Sequence, residues 1–230
     1  SLRAFVEGRT ILITGGAGSV GAELLRRMLP FGPGKIVVFD MNENYVAELQ
    51  AELARVESLP CSIAYEIGSV CDKARLRAVF AAHHPDIVFH AAAHKHVALM
   101  ESVPGEAVNT NIFGLVHTLD AAREAGCQTF IQLSSEIAVN PISVLGASLN
   151  AAEAVIRLYA AREGMACFTV RFGNVLASHG SVLPILVKQI HNGSAVTLTN
   201  PDAERYFVTL PEVAQLILSA AAEGETGHTY

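Results

Sequence analysis

The residues best placed to do chemistry lie near the start of the chain. Thr14-Gly-Gly-Ala-Gly-Ser-Val-Gly21 follows the apolar run Thr10–Thr14 and precedes a helical pattern. Two spacings fit it: Gly16, Gly18 and Gly21 as G-x-G-x-x-G, or Gly15, Gly18 and Gly21 as G-x-x-G-x-x-G. Either lets backbone turn tightly against a pyrophosphate, with amides at the helix start, Ser19 and Val20 included, donating to it. Asp40 ends the second apolar run, 19 residues past Gly21, where a carboxylate accepts from an adenosine ribose. That carboxylate repels a 2′-phosphate, and no arginine follows in Met41–Asn44, so NAD is expected rather than NADP. The alternative is a glycine turn with a surface aspartate.

A second concentration of reactive groups is His90-Ala-Ala-Ala-His-Lys-His96, after the fourth apolar run. Ala91, Ala92 and Ala93 are small enough for a cofactor to lie against the backbone, and His94, Lys95 and His96 are titratable. No metal is expected, because no carboxylate or third histidine stands at ligand spacing. The plain alternative is a basic surface turn. A Tyr-x-x-x-Lys pair, which would couple a phenol to an ammonium one helical turn away, is missing. Tyr45, Tyr65, Tyr159 and Tyr206 are followed four residues later by Leu49, Ser69, Glu163 and Leu210.

Short apolar runs and helical patterns alternate to hold these groups. Thr10–Thr14, Lys35–Asp40, Ile63–Ile67, Asp86–His90, Thr129–Leu133 and Ala166–Phe172 are expected as strands. Val20–Leu29, Glu43–Val56, Lys73–His83, Glu106–Ala125 and Leu145–Glu163 are expected as helices. The alternation predicts an α/β fold, a Rossmann-like doubly wound parallel sheet covered on both faces. Beyond Phe172 a loop at Gly173–Gly180, a helix from Ser181, a short strand Ala195–Leu198 and a last helix Pro211–Ala222 are expected. Residues 1–172 are read as the dinucleotide-binding domain, and 173–230 as a partial substrate lobe in the same compact unit. The opening at Ser1, and the stop at Tyr230 just as a strand begins, suggest a portion of a longer chain.

Composition narrows the function classes. The chain has 230 residues, 51% hydrophobic and 17% charged, with a formal charge of −6. The charged share lies below the roughly 25% of an average globular domain, which excludes a disordered chain. The acidic balance argues against nucleic acid as a partner. No apolar stretch reaches the roughly 20 residues of a membrane span. Cys61, Cys71, Cys127 and Cys167 lack Cys-x-x-Cys spacing, so reduced thiols and a cytoplasmic location are expected.

His90-Ala-Ala-Ala-His-Lys-His-Val-Ala-Leu-Met-Glu101 is similar to the HAAAYKHVPLME stretch of the UDP-N-acetylglucosamine 4,6-dehydratases of polysaccharide biosynthesis, extended short-chain dehydrogenase-type proteins. Ala138–Pro141, Val170–Leu176, Gly180–Pro184 and Arg205–Phe207 resemble the same family, and the likeness runs from about Gly8 to the last residue. The resemblance implies bound NAD(P) and a redox-neutral elimination on a UDP-amino sugar. Hydride leaves C4 and returns at C6, the C5 proton is lost, and the C6 hydroxyl is expelled. It also implies contacts from Ser69 and Val70 to the adenine side, and from His96, Asn174 and Arg205 to the nucleotide sugar. Asn174 as a loop cap, and Arg205 paired with Glu204 or Asp202, are the structural alternatives.

Departures from the family pattern fall where the resemblance places the acid and base. Ser134-Ser-Glu-Ile-Ala138 aligns with Ser-Thr-Asp-Lys-Ala, so Ile137 stands in a lysine position; Leu145-Gly-Ala-Ser-Leu149 aligns with M-G-A-T-K, so Leu149 stands in a second. Ser69 replaces an aspartate, and His179 an arginine. Glu136 as acid, Ser135 as a sugar-binding hydroxyl and Lys95 as substitute base are the remaining catalytic candidates. Two functions follow: a nucleotide-sugar 4,6-dehydratase or epimerase-type enzyme with lysines replaced, or a catalytically silent NAD(P)- and nucleotide-sugar-binding module with a regulatory or partner-subunit role. A homo-oligomer is the expected assembly.

Overall fold

Burial on both faces is what the apolar runs demand, and a parallel sheet flanked by helices supplies it. The computed structural model describes residues 1–162, 164–176, 182–197, 200, 204 and 206–230. In chain order the elements are α1 (Leu2–Val6), β1 (Thr10–Thr14), α2 (Ser19–Met28), β2 (Lys35–Asp40), α3 (Glu43–Leu53), β3 (Ser62–Ile67), α4 (Lys73–His83) and β4 (Ile87–His90). Next come α5 (Val97–Ser102), α6 (Pro104–Ala107), a π-helical segment Val108–Gly114 and α7 (Leu115–Glu124). After β5 (Thr129–Ser135) and a 3₁₀ turn at Glu136–Ala138, the chain forms α8 (Val144–Ala160), β6 (Ala166–Phe172), β7 (Asn174–Val175), α9 (Val182–His191), β8 (Phe207–Val208) and α10 (Leu210–Glu223).

Six parallel strands lie in the order β3-β2-β1-β4-β5-β6. The order reverses between β1 and β4, where Thr14 pairs in register with His90. In open α/β sheets ligands bind at such a switch point, outside the carboxyl ends of the strands. Local chemistry starts the helices beside it. Asn42 accepts from the Tyr45 amide to cap α3, Asp72 from Arg75 to cap α4, and Ser143 from Gly146 to cap α8. Thr209 and Glu212 form a capping box on α10.

Two apolar layers sandwich the sheet. Ile11, Ile13, Ile36, Val38 and Phe89 pack with Leu24 and Leu25 of α2, and Val213, Ile217 and Leu218 of α10 join the same layer. Leu12, Val37, Phe39 and Val88 face α4, α7 and α8. Strand β6 ends at Phe172, and α10 beyond it returns to the flank of α2.

Two expectations need correction. Residues 195–197 form no strand, because Thr197 turns back to bond the Gln189 side chain of α9 through its amide and hydroxyl, each at 3.2 Å; Leu198 lies outside the described residues. A two-stranded sheet forms instead between β7 and β8. The helix expected over Glu106–Ala125 is interrupted by the π-helical segment. The strand beginning at the chain's end is found: Thr229 bridges Thr169 in parallel, and the Arg171 amide donates to the Tyr230 carbonyl at 2.8 Å.

Candidate functional site

The glycine loop touches its neighbours at backbone distance. Gly15 has φ +64°, a left-handed conformation, and a Cβ there would stand 2.9 Å from the Ala91 and Ala92 backbone. At Gly21 a Cβ would come within 2.4 Å of the Gly15 carbonyl oxygen. Side chains at these two positions would fill the cradle the loop forms. Gly18 precedes α2 as its N-cap and, being glycine, brings no side chain to that end of the helix.

Asp40, at the end of β2, is buried. Its Oδ2 accepts from the Ala17 amide of the loop at 3.1 Å, and its Oδ1 from the Asn42 amide at 2.9 Å. Each carboxylate oxygen has a second lone pair, so hydroxyl donors can still be accepted. Across the switch point Thr14 anchors the exit of β4: its carbonyl accepts from the Ala91 amide at 3.0 Å and its Oγ1 from Ala92 at 3.4 Å. The same hydroxyl lies 2.9 Å from His90 Nδ1. Burial pushes the His90 pKa down to about 3, so the ring is neutral at pH 7. Ser69 turns into α4, accepting from the Cys71 amide at 3.1 Å, and Val70 beside it is buried. These residues suit a dinucleotide: a cradle without Cβ atoms, amides for phosphate and a carboxylate for ribose.

On the other side, the turn after β5 gathers residues far apart in the chain. Ser135 Oγ donates to Glu136 Oε2 at 2.6 Å, and Asn174 Nδ2 donates to Glu136 Oε1 at 3.3 Å. Two catalytic candidates and a substrate-binding candidate thus form one polar chain. Lys95 lies exposed on the loop after β4, the neighbour of β5, and partial desolvation lowers its pKa. His96 takes the N-cap position of α5 with no side-chain cap bond. Arg205 and His179 lie outside the described residues.

Ile137 and Leu149, the two residues in lysine positions, enter one apolar cluster with Met100, Ala107, Ala138, Leu145 and Val144. Leu149 is 6% exposed.

Sequence reasoning missed the supports under this edge. Glu153 on α8 is fully buried and accepts from Ser134 Oγ at 2.7 Å and from Arg171 Nε at 2.8 Å. A lone charge on the apolar face of α8, and an arginine inside the apolar run Ala166–Phe172, were the signals. Asn111 and Ser148 were missed too; neither type stands out inside a helical pattern. The described residues form no cluster able to hold a metal ion. One surface depression is lined by Ala160, Met165 and Thr226; a second is lined by Phe207 and Val208 of β8 and Pro211 of α10, with Phe207 paired to Asn174 of β7.

Comparison with known proteins agrees with this geometry. Residues 11–230 match the family model described as polysaccharide biosynthesis protein. The chain is 41% identical over 217 residues to the probable polysaccharide biosynthesis protein EpsC of Bacillus subtilis, covering 94% of this chain and 36% of EpsC. It is 36% identical to the inverting UDP-N-acetylglucosamine 4,6-dehydratase of Campylobacter jejuni, covering 92% of this chain and 63% of that protein. Pen from Bacillus thuringiensis superposes with a TM-score of 0.92 at 32% identity, over 98% of this chain and 71% of Pen. The Bordetella bronchiseptica enzyme WbmF, solved with NAD+ and UDP, shares the fold at a TM-score of 0.80 and 20% identity, over 98% of this chain and 72% of WbmF. The chain therefore spans about a third of EpsC and under two thirds of the Campylobacter dehydratase. With its doubly wound sheet, glycine cradle and sheet-edge polar chain, it belongs to the polysaccharide biosynthesis protein family, whose fold is that of the extended short-chain dehydrogenase-type dehydratases and epimerases.

Proposed function

We propose that the chain binds NAD and a UDP-amino sugar side by side at the carboxyl edge of the sheet, as a dehydratase- or epimerase-type protein of polysaccharide biosynthesis. The observation that carries this reading is the Ser135–Glu136–Asn174 chain at the carboxyl end of β5, on the same sheet edge as the loop from Gly15 to Gly21 and separated from it by the exit of β4. Gly15, Gly18, Ser19, Val20 and Gly21 would hold the pyrophosphate and Asp40 a ribose. Ser69 and Val70 would flank the adenine, and Ala91–Ala93 the nicotinamide half. NAD supplies reversible hydride acceptance when bound. Glu136 serves as the acid toward the leaving hydroxyl, Ser135 orients that carboxyl, and His96, Asn174 and Arg205 bind the nucleotide sugar. Lys95, its pKa already lowered, takes the base role. Assembly as a homo-oligomer belongs to the same proposal, since Leu99, Phe113 and Ile142 expose apolar side chains that a partner copy would cover.

One observation favours a second reading, a silent ligand-binding module: Ile137 and Leu149 pack into an apolar cluster and can move no proton. Incubation of the purified protein with NAD and UDP-N-acetylglucosamine, followed by mass spectrometry, separates the two. The primary reading predicts a 4-keto-6-deoxy product, and loss of its formation in Lys95→Met. Ligand bound without product establishes the silent module, and no bound ligand refutes both.

A further inference from the structure

A cluster of ionisable groups that the chemistry above leaves unused lies beside the turn joining β3 to α4. Glu66 of β3 is gripped from both ends of α4: its Oε2 accepts from Arg75 Nη2 at 2.6 Å, and its Oε1 lies 2.7 Å from His83 Nε2. The same guanidinium reaches the turn itself, with Arg75 Nε donating to the Ile67 carbonyl at 3.1 Å. Its stem presses on the next residue, where a Cβ at Gly68 would stand 2.8 Å from Arg75 Cγ and 2.9 Å from the Phe39 ring. The turn is tied a second time, to the backbone of Asp40, because the Gly68 amide donates to the Asp40 carbonyl at 3.0 Å. Ser69 and Val70 follow directly, so the turn that carries them is held by both Asp40 and Arg75.

We propose that Arg75 is a positioning residue for the adenine half of the dinucleotide, bracing residues 67–70 so that Ser69 and Val70 form a preset wall for the base. The inference rests on the NAD-binding reading above. Arginine suits the task because its rigid planar fork offers Nε to one acceptor and Nη2 to another at once. Glu66, anchored by His83, fixes the fork, and the fork fixes the turn. A turn ordered in advance spares that cost on binding, so loosening it shows as lost affinity. Arg75→Met keeps a stem beside Gly68 and removes both donors.

Hydrogen exchange at the bonded Gly68 and Cys71 amides of the unliganded protein, together with titration by NADH and by ADP-ribose, tests this. Arg75→Met should raise exchange there about tenfold or more, while the Ala91 and His94 amides keep wild-type protection. NADH and ADP-ribose share the adenosine half, and both should weaken about tenfold, the equivalent of one lost hydrogen bond. Glu66→Ala frees the fork but keeps the arginine. It gives the same reading should Arg75→Met fold poorly, with smaller changes of the same sign. Wild-type exchange at Gly68 and Cys71 in both variants would overturn the brace, and so would exchange raised equally at Ala91 and His94, which marks general loosening. Raised local exchange with unchanged affinities would overturn the positioning role, as would a loss of NADH affinity that ADP-ribose does not share. A wild-type protein that takes up no NADH overturns the cofactor reading, and the positioning role with it; the exchange data, gathered without ligand, still decide the brace.

Discussion

At the scale of single residues, the account turns on what stands beside Glu136. Its neighbour Ile137 packs against the cluster that also receives Leu149, while the Glu136 carboxylate accepts from Asn174. On the proposed function, lysines introduced at both positions should do two opposite things. Ile137→Lys/Leu149→Lys should raise the rate of UDP-N-acetylglucosamine dehydration by about 10² or more, the usual worth of a positioned acid or base. It should also cost about 2–4 kcal/mol of stability, because a charge replaces a packed apolar contact. Product formation and urea unfolding measure the two effects, and unchanged turnover would show that these positions do not limit the reaction. Residue types alone pointed to the glycine loop and to Asp40 at the end of β2. They could not reveal that Asn174, 38 positions from Glu136, hydrogen-bonds it, since that contact exists only once β5 and β6 are paired.

Elements hold these residues in place, and α8 holds most of them. Its buried Glu153 joins Ser134 at the end of β5 to Arg171 of β6, whose side chain is 32% exposed. Breaking such a pair leaves the partner's charge uncompensated, so Glu153→Ala should lose about 3 kcal/mol. Replacing both partners with apolar residues, Glu153→Leu/Arg171→Met, should lose less than the single change. Chemical unfolding of the three proteins checks the order; equal losses would contradict it. Strand and helix positions were legible because period and apolar run length report burial directly. The π-helical interruption of Val108–Gly114 was not, because its cause is long-range: Asn111 is committed to His94 and Ser148, and Gly114 to contact with Val70. The short strands β7 and β8 were missed because two-residue pairings leave no pattern to read.

For the whole molecule, the switch point between β1 and β4 sets a pH limit. His90 is buried there with a pKa of about 3, against 6.5 for the free side chain. Between those values the unfolded chain binds a proton that the folded chain refuses. Stability is therefore complete above about pH 6.5 and declines as pH falls toward 3. Moving from pH 7 to pH 5 should cost about 2 kcal/mol, and His90→Gln should remove that slope. Carboxylates such as Glu66, held low by His83 and Arg75, lose their contributions only further down, below their ordinary value of 4.5. Thermal unfolding across this range distinguishes the two; an identical slope in His90→Gln would contradict the assignment.

The central claim, that this edge of the sheet binds NAD, is tested most directly by titrating the purified protein with NADH and NADPH, in the wild type and in Asp40→Ala. Saturable NADH binding is predicted, with NADPH weaker by about tenfold or more because the Asp40 carboxylate repels the added phosphate. Asp40→Ala should weaken NADH and narrow that preference. Absence of saturable binding to either nucleotide would contradict the account, and an undiminished preference in Asp40→Ala would contradict the role given to Asp40.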